Sequence, residues 1–158
     1  MPTPLTEGQP APEFTAKTDK DETVSLKDFA GKHVVLYFYP KDDTPGCTIE
    51  ACNFRDNMGR IESAGAVVLG ISLDDVASHQ KFRDKFELPF PLLADTEHEI
   101  ADAYGVYGKK TFREHEYMGV DRATFLIGPD GTLEKVWAQV NPASHADEVL
   151  EAMAGHKH

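Results

Sequence analysis

Tyr39-Pro40-Lys41-Asp42-Asp43-Thr44-Pro45-Gly46-Cys47-Thr48-Ile49-Glu50-Ala51-Cys52 joins a continuous apolar run, His33 to Tyr39, to a segment with the marks of a helix start. Thr44 suits the N-cap, Pro45 suits the first helical position because its φ is fixed and its missing N–H has no partner there, and Gly46 keeps the turn open. Cys47 then falls in the first helical turn. The unpaired N–H groups and the positive end of the helix dipole favour S⁻ over SH at that place, and the thiolate is the nucleophilic form. From Cys47 the residues Ala51, Phe54, Met58 and Ile61 follow at helical spacing and make a one-sided apolar stripe. Cys47 therefore faces inward, at the lip of a core.

The second cysteine, Cys52, sits five residues on. In an intact helix two α-carbons at that spacing lie about 8.6 Å apart, on faces about 140° different. A disulfide needs about 4.4–6.8 Å, so if the two cysteines pair, the helix start unwinds first.

On either side of this segment the chain alternates strands and helices. His33-Val-Val-Leu-Tyr-Phe-Tyr39 and Ala66-Val-Val-Leu-Gly-Ile-Ser72 are apolar without alternation, as strands covered on both faces are. With the Cys47 helix between them they predict a parallel, right-handed β-α-β unit. Asp74 and Asp75 supply caps for a second helix carrying Val76, His79, Phe82 and Phe86 on one stripe, ended by Pro89. Phe90 to Ala94 is a third strand, and Thr96-Glu-His-Glu99 reads as a capping box for a short helix stopped by Gly105.

Residues 105–121, charged and aromatic with no period, read as a loop folding over the site. Ala123 to Ile127, the turn Gly128-Pro-Asp-Gly131 and Leu133 to Gln139 predict a hairpin. Asn141-Pro142 opens a last helix with Ala146, Val149, Leu150 and Met153 on one face. Ahead of all this, residues 1–13 hold four prolines and read as extended and uncommitted; Phe14 to Lys17 and Thr23 to Ser25 form a short hairpin, and Leu26 to Ala30 one helical turn closed by Gly31. The order fits a thioredoxin-like α/β fold: a central mixed β-sheet flanked by helices, with an N-terminal β-hairpin.

The segment Pro40-Lys-Asp-Asp-Thr44-Pro-Gly-Cys47-Thr-Ile-Glu-Ala-Cys52 resembles the active-site segment of the peroxiredoxins, specifically the Q-type (bacterioferritin-comigratory-protein) subfamily. Gly8-Gln-Pro-Ala-Pro-Glu-Phe14, Ser25-Leu-Lys-Asp-Phe-Ala-Gly-Lys32, Tyr104-Gly-Val106 and Arg122-Ala-Thr-Phe-Leu-Ile127 with Pro129-Asp-Gly131 match in family order, so the likeness spans roughly Gly8 to Met153. Where many relatives turn a hairpin on Asp-Gly or Asn-Gly, this chain has Asp19-Lys-Asp-Glu22.

The resemblance implies the same fold and a thiol-dependent peroxidase acting on hydrogen peroxide and organic hydroperoxides in antioxidant defence. In that scheme Cys47 is the peroxidatic nucleophile and passes through a sulfenic acid, and Cys52 resolves it as an intramolecular disulfide reduced by thioredoxin or a similar dithiol protein. Thr44 hydroxyl and the Cys47 N–H hold the peroxide oxygens, Arg122 stabilises the thiolate and developing charge, and Pro40 shields the pocket from water. Taken alone, Arg122 is a solvated strand-edge residue; its match to the family motif reverses that reading. No metal or organic cofactor is implied, and the subfamily implies a monomer. The competing readings are a thiol–disulfide oxidoreductase, disfavoured because that chemistry starts from Cys-x-x-Cys, and a redox-sensing interaction protein.

The remaining bounds come from composition. At 158 residues, 41% hydrophobic and 27% charged, the chain is the size of one domain, 1–158, with 1–7 and 155–158 as mobile tails. The formal charge of −11 carries no basic cluster and argues against nucleic-acid binding. The first residues have neither a basic nor an apolar leader region and no run is long enough to span a membrane, so a cytoplasmic protein is expected. Two cysteines in a reducing compartment read as a working dithiol. His33, His79, His98, His115 and His145 are scattered, without ligand spacing, and read as solvated or capping; His156 and His158 fall in the tail, and Lys109 and Lys110 in the solvated loop.

Overall fold

The structure, a computed structural model, describes residues 5–138 and 140–155. An N-terminal hairpin pairs β1 (Thr15–Thr18) with β2 (Thr23–Ser25), and a 3₁₀ turn, Leu26–Phe29, follows. The two unbroken apolar runs are β3 (His33–Phe38) and β4 (Ala66–Ser72), parallel and in register from His33↔Ala66 to Phe38↔Ile71. Between them come α1 (Pro45–Asp56) and α2 (Met58–Ser63). Then follow α3 (Val76–Phe86), β5 (Leu92–Ala94), α4 (Glu99–Ala103), β6 (Tyr107–Phe112), β7 (His115–Val120), β8 (Ala123–Ile127), β9 (Leu133–Trp137) and α5 (His145–Gly155).

Seven strands form one mixed sheet in the order β2-β1-β5-β4-β3-β8-β9. Strands β3, β4 and β5 are parallel, and β1 and β8 join that set antiparallel. Both faces are covered, which is why the central strands show no alternation. Val34, Leu36, Phe38, Ile71 and Phe125 belong to one core, with α4; Val35, Tyr37, Tyr39, Val68 and Leu126 belong to the other, under α1, α2, α3 and α5. The predicted stripe Cys47, Ala51, Phe54, Met58, Ile61 is buried throughout, although the helix breaks at Asn57.

Several local expectations are corrected. Residues 105–121 are no loop: β6 and β7 pair antiparallel from Tyr107↔Val120 to Phe112↔His115. Most of β7 is exposed, so no buried face imprints a period on the sequence, and the turn places Arg113 and Glu114 at φ 50° and 69° without a glycine to announce it. Lys109 and Lys110 stand on β6 and pair with Glu116 and Asp121.

Thr96 does not cap α4; the buried Asp95 carboxylate accepts from Ile100 N at 3.1 Å and Ala101 N at 2.8 Å. Asp75 alone caps α3, accepting from Ser78 N at 2.9 Å. At the Asp19–Glu22 turn, Asp21 takes φ 59° while buried Asp19 accepts from Arg83 at 2.5 Å and from Leu92 N at 3.0 Å.

The N-terminal segment is not uncommitted either. Gly8 N donates to Leu133 O, Leu133 N to Gln9 O and Ala11 N to Gly131 O, all at 2.8 Å, so residues 8–11 lie beside residues 131–133, where β9 begins. Of the expected tails, residues 1–4 and 156–158 lie outside the described residues, whereas Leu5 packs half-buried against the core. Finally, His79 and His145 are fully buried rather than solvated, His145 with its ring edge-on to Phe54 and Trp137.

Candidate active site

The β3 strand delivers the chain at Tyr39 to the loop that starts α1. Thr44 occupies the N-cap position in extended conformation and its carbonyl accepts from Thr48 N at 2.8 Å. Its side chain, however, makes no capping bond: Oγ1 donates to Lys41 O at 2.8 Å and so tightens the loop instead. Pro45 opens the helix as expected, and Cys47 follows in its first turn with only 1% of its surface exposed. Cys52 is half-buried on the same helix, and both thiols are free. Pro40 is exposed at the entrance to the loop.

Arg122 immediately precedes β8, whose first residue, Ala123, pairs with Phe38 at the end of β3. That register brings the guanidinium over the start of α1. Nη2 lies 3.4 Å from Cys47 Sγ and Nη1 2.8 Å from Glu50 Oε1. The fork thus spans two residues three apart on one helix face, a geometry a lysine does not reproduce.

Glu50 was invisible as a site residue in the sequence, where it reads as one more helix charge. It is fully buried, and its only signal was a charged side chain at i+3 from the cysteine, toward the apolar stripe. Burial pushes its carboxyl up to about 7, against the opposing pull of Arg122. Burial would lower the pKa of Arg122, but the charges of Cys47 and Glu50 and their hydrogen bonds outweigh it and raise the value.

Gly46 has a reason the sequence did not disclose. A β-carbon there would stand 2.9 Å from Arg122 Nη2, so the bare backbone lets the guanidinium reach the sulfur.

The arrangement places a sulfur at the start of a helix, a permanent cation against it and a buried carboxyl group holding that cation. Arg122 meets Cys47 and Glu50, the Thr44 hydroxyl bonds to Lys41 O instead, Pro40 is exposed in the loop, and Cys52 lies along the helix. Among the described residues, no group of three or more His, Cys, Asp or Glu side chains is placed to hold a metal ion. No described helix is long and apolar enough to cross a membrane.

The AhpC/TSA family matches residues 7–136. Peroxiredoxin Bcp of Bacillus subtilis is 48% identical over 92% of this chain and 93% of its own length. A solved cysteine mutant of PrxQ from Xylella fastidiosa superposes with a TM-score of 0.92 at 34% identity, covering 98% of each chain. A structure concerned with alkyl peroxide reduction by the bacterioferritin comigratory protein of Xanthomonas campestris superposes at 0.86 with 36% identity, over 90% of this chain and 91% of that one. The shared fold is the thioredoxin-like α/β arrangement expected from the order of strands and helices.

Proposed function

The chain belongs to the AhpC/TSA family and, within it, to the Q-type peroxiredoxins, which are peroxidase oxidoreductases, and from that premise we propose that it reduces hydrogen peroxide and organic hydroperoxides through Cys47. The observation that carries this reading is the 3.4 Å approach of Arg122 Nη2 to Cys47 Sγ at the start of α1. The alkyl peroxide activity described for the Xanthomonas protein supports the inclusion of organic substrates.

In the first step the Cys47 thiolate attacks one peroxide oxygen. An S–O bond forms, the O–O bond breaks, and the other oxygen leaves with a proton as water or an alcohol. Arg122 stabilises both the thiolate and the charge spreading over the two oxygens, Thr44 hydroxyl and the Cys47 N–H hold the peroxide in line, and Pro40 limits access of bulk water. Glu50 holds Arg122 in place.

Cys47 leaves this step as a sulfenic acid. Cys52 then attacks the oxidised sulfur, an S–S bond forms and water departs. Because the helical spacing of about 8.6 Å exceeds the disulfide range of about 4.4–6.8 Å, the start of α1 unwinds before the bond closes. Thioredoxin or a similar dithiol protein restores both thiols by exchange. The chain needs no metal or organic cofactor and works as a cytoplasmic monomer.

Turnover of tert-butyl hydroperoxide with thioredoxin, thioredoxin reductase and NADPH tests the scheme. Cys47→Ser abolishes turnover; Cys52→Ser keeps the first oxidation but loses recycling. Mass spectrometry of peroxide-treated protein shows an intramolecular Cys47–Cys52 link. A stable sulfenic acid with Cys52 still free would contradict the resolution step, and a single oxidation without turnover would favour the sensor reading.

A further inference from the structure

Asp42 stands five residues before Cys47, in the loop between β3 and α1, and its carboxylate is buried. It receives three side chains: Tyr39 Oη at 2.5 Å on Oδ1, and Ser78 Oγ at 2.8 Å and His79 Nδ1 at 2.6 Å on Oδ2. His79, on α3, is fully buried, and its second ring nitrogen, Nε2, lies 2.8 Å from Leu93 O on β5. A carbonyl oxygen only accepts, so Nε2 carries a proton. Tyr39 and Ser78 both direct their hydroxyl protons at Asp42, whose Oδ2 also meets Nδ1. The ring is thus held at both nitrogens, between the Asp42 carboxyl group and the Leu93 carbonyl.

The groups facing this ring are Asp42 and Tyr39 from the loop side, Ser78 from its own helix and the Leu93 carbonyl from β5. Behind Asp42 stands Asp74, which accepts from Asp42 N at 2.8 Å and from Ser72 Oγ at 2.7 Å. The next residue, Asp43, is left-handed at φ 57° and pairs at the surface with Lys85. A buried polar network contributes little to stability compared with apolar packing, but when every partner is satisfied it favours one geometry. Here that geometry belongs to the loop carrying Thr44.

We infer that His79 is a positioning residue for the peroxide step: bonded to Asp42 through one ring nitrogen and to Leu93 O through the other, it clamps Asp42, and through Asp42 it sets the Pro40–Gly46 loop that presents Thr44 and delivers Cys47 to the start of α1. The inference rests on the reading of Cys47 as the peroxide nucleophile. Neither His79 nor Asp42 touches the substrate. Their effect is on where the loop lies, and a displacement of about 1 Å at such a place costs up to about a hundredfold in rate.

Two measurements test it. Nitrogen-15 NMR of the wild-type protein at neutral pH should show a protonated, hydrogen-bonded His79 Nε2; an Nε2 without a proton would overturn the clamp, and this result needs no variant to fold. In His79→Gln, the rate constant for oxidation of Cys47 by hydrogen peroxide falls about tenfold or more, while alkylation of Cys47 by iodoacetamide, which needs the thiolate but not the peroxide pocket, stays within about twofold. Equal peroxide rates would overturn the inference. So would a fall in peroxide rate accompanied by faster alkylation, which marks general loosening of the helix start. A wild-type protein inert to peroxide would sink the site reading and the clamp together, whereas an active wild type matched by its His79→Gln variant sinks the clamp alone.

Discussion

At the scale of single residues, the site is a chain of contacts in which each member is held by the next: Cys47 by Arg122, and Arg122 by Glu50. Glu50 makes this chain sensitive to pH. The folded protein keeps its proton up to about pH 7, whereas an unburied carboxyl releases it near 4.5. Across that window the folded state binds more protons than the unfolded one, so stability falls as pH rises, by an amount on the order of 3 kcal/mol. Glu50→Gln keeps an acceptor for Arg122 and removes the titration. Its urea midpoint should therefore change less than that of the wild type between about pH 5 and 7.5; parallel curves would contradict the burial argument. The place of Cys47 in the first turn of α1 was legible because it lies in local spacing, whereas the Thr44 hydroxyl, read as a cap, bonds to Lys41 O instead. Arg122 was legible only through the family motif, since by composition it is an ordinary strand-edge cation, and Glu50 was not legible because its partner lies 72 residues away.

At the scale of elements, α1 is the part asked to change shape, and its neighbours limit how far. Asn53, directly after Cys52, accepts Ala146 N from the first turn of α5 on Oδ1 at 2.8 Å, and its carbonyl receives Asn57 Nδ2 at 2.8 Å. Phe54 is fully buried beneath it. The unwinding proposed for residues up to Cys52 thus ends against a residue tied to another helix. Asn53→Ala removes an acceptor from an unpaired helix-start N–H and should cost about 1 kcal/mol. Hydrogen exchange should speed up in the first turn of α5, while the first oxidation of Cys47 keeps its rate; unchanged exchange there would refute the tie. Elements with a covered face were readable from their apolar runs. The β6–β7 hairpin was not, because most of β7 is exposed, with Tyr107 and Val120 at one end packing on the core, and its turn uses left-handed Arg113 and Glu114 where glycine or asparagine would have signalled it. The cap of α4 was misread for a related reason: two carboxylate oxygens of Asp95 satisfy two helix-start donors from outside the expected box.

At the scale of the whole molecule, the sheet separates two cores, and the chemistry occupies one side. Cys47, Phe54 and Tyr37 belong with α1, α2, α3 and α5, whereas Phe38, Tyr104 and Phe125 pack on the opposite face. The parallel centre of the sheet was readable from two unbroken apolar runs, but the burial of His79 and His145 was not, because a histidine looks alike in sequence whether it meets water or a ring. The short antiparallel strip formed by residues 8–11 beside residues 131–133, at the start of β9, was hidden by prolines that suggested slack chain. Its consequence is colloidal. Beta9 ends the seven-strand ladder, and a bare margin of amide and carbonyl groups is a template onto which another polypeptide can zip. Trimming the chain through Ala11 should strip that selvage and raise light scattering on warming, even with the catalytic apparatus untouched; an equally clear solution would mean the margin is guarded by something else.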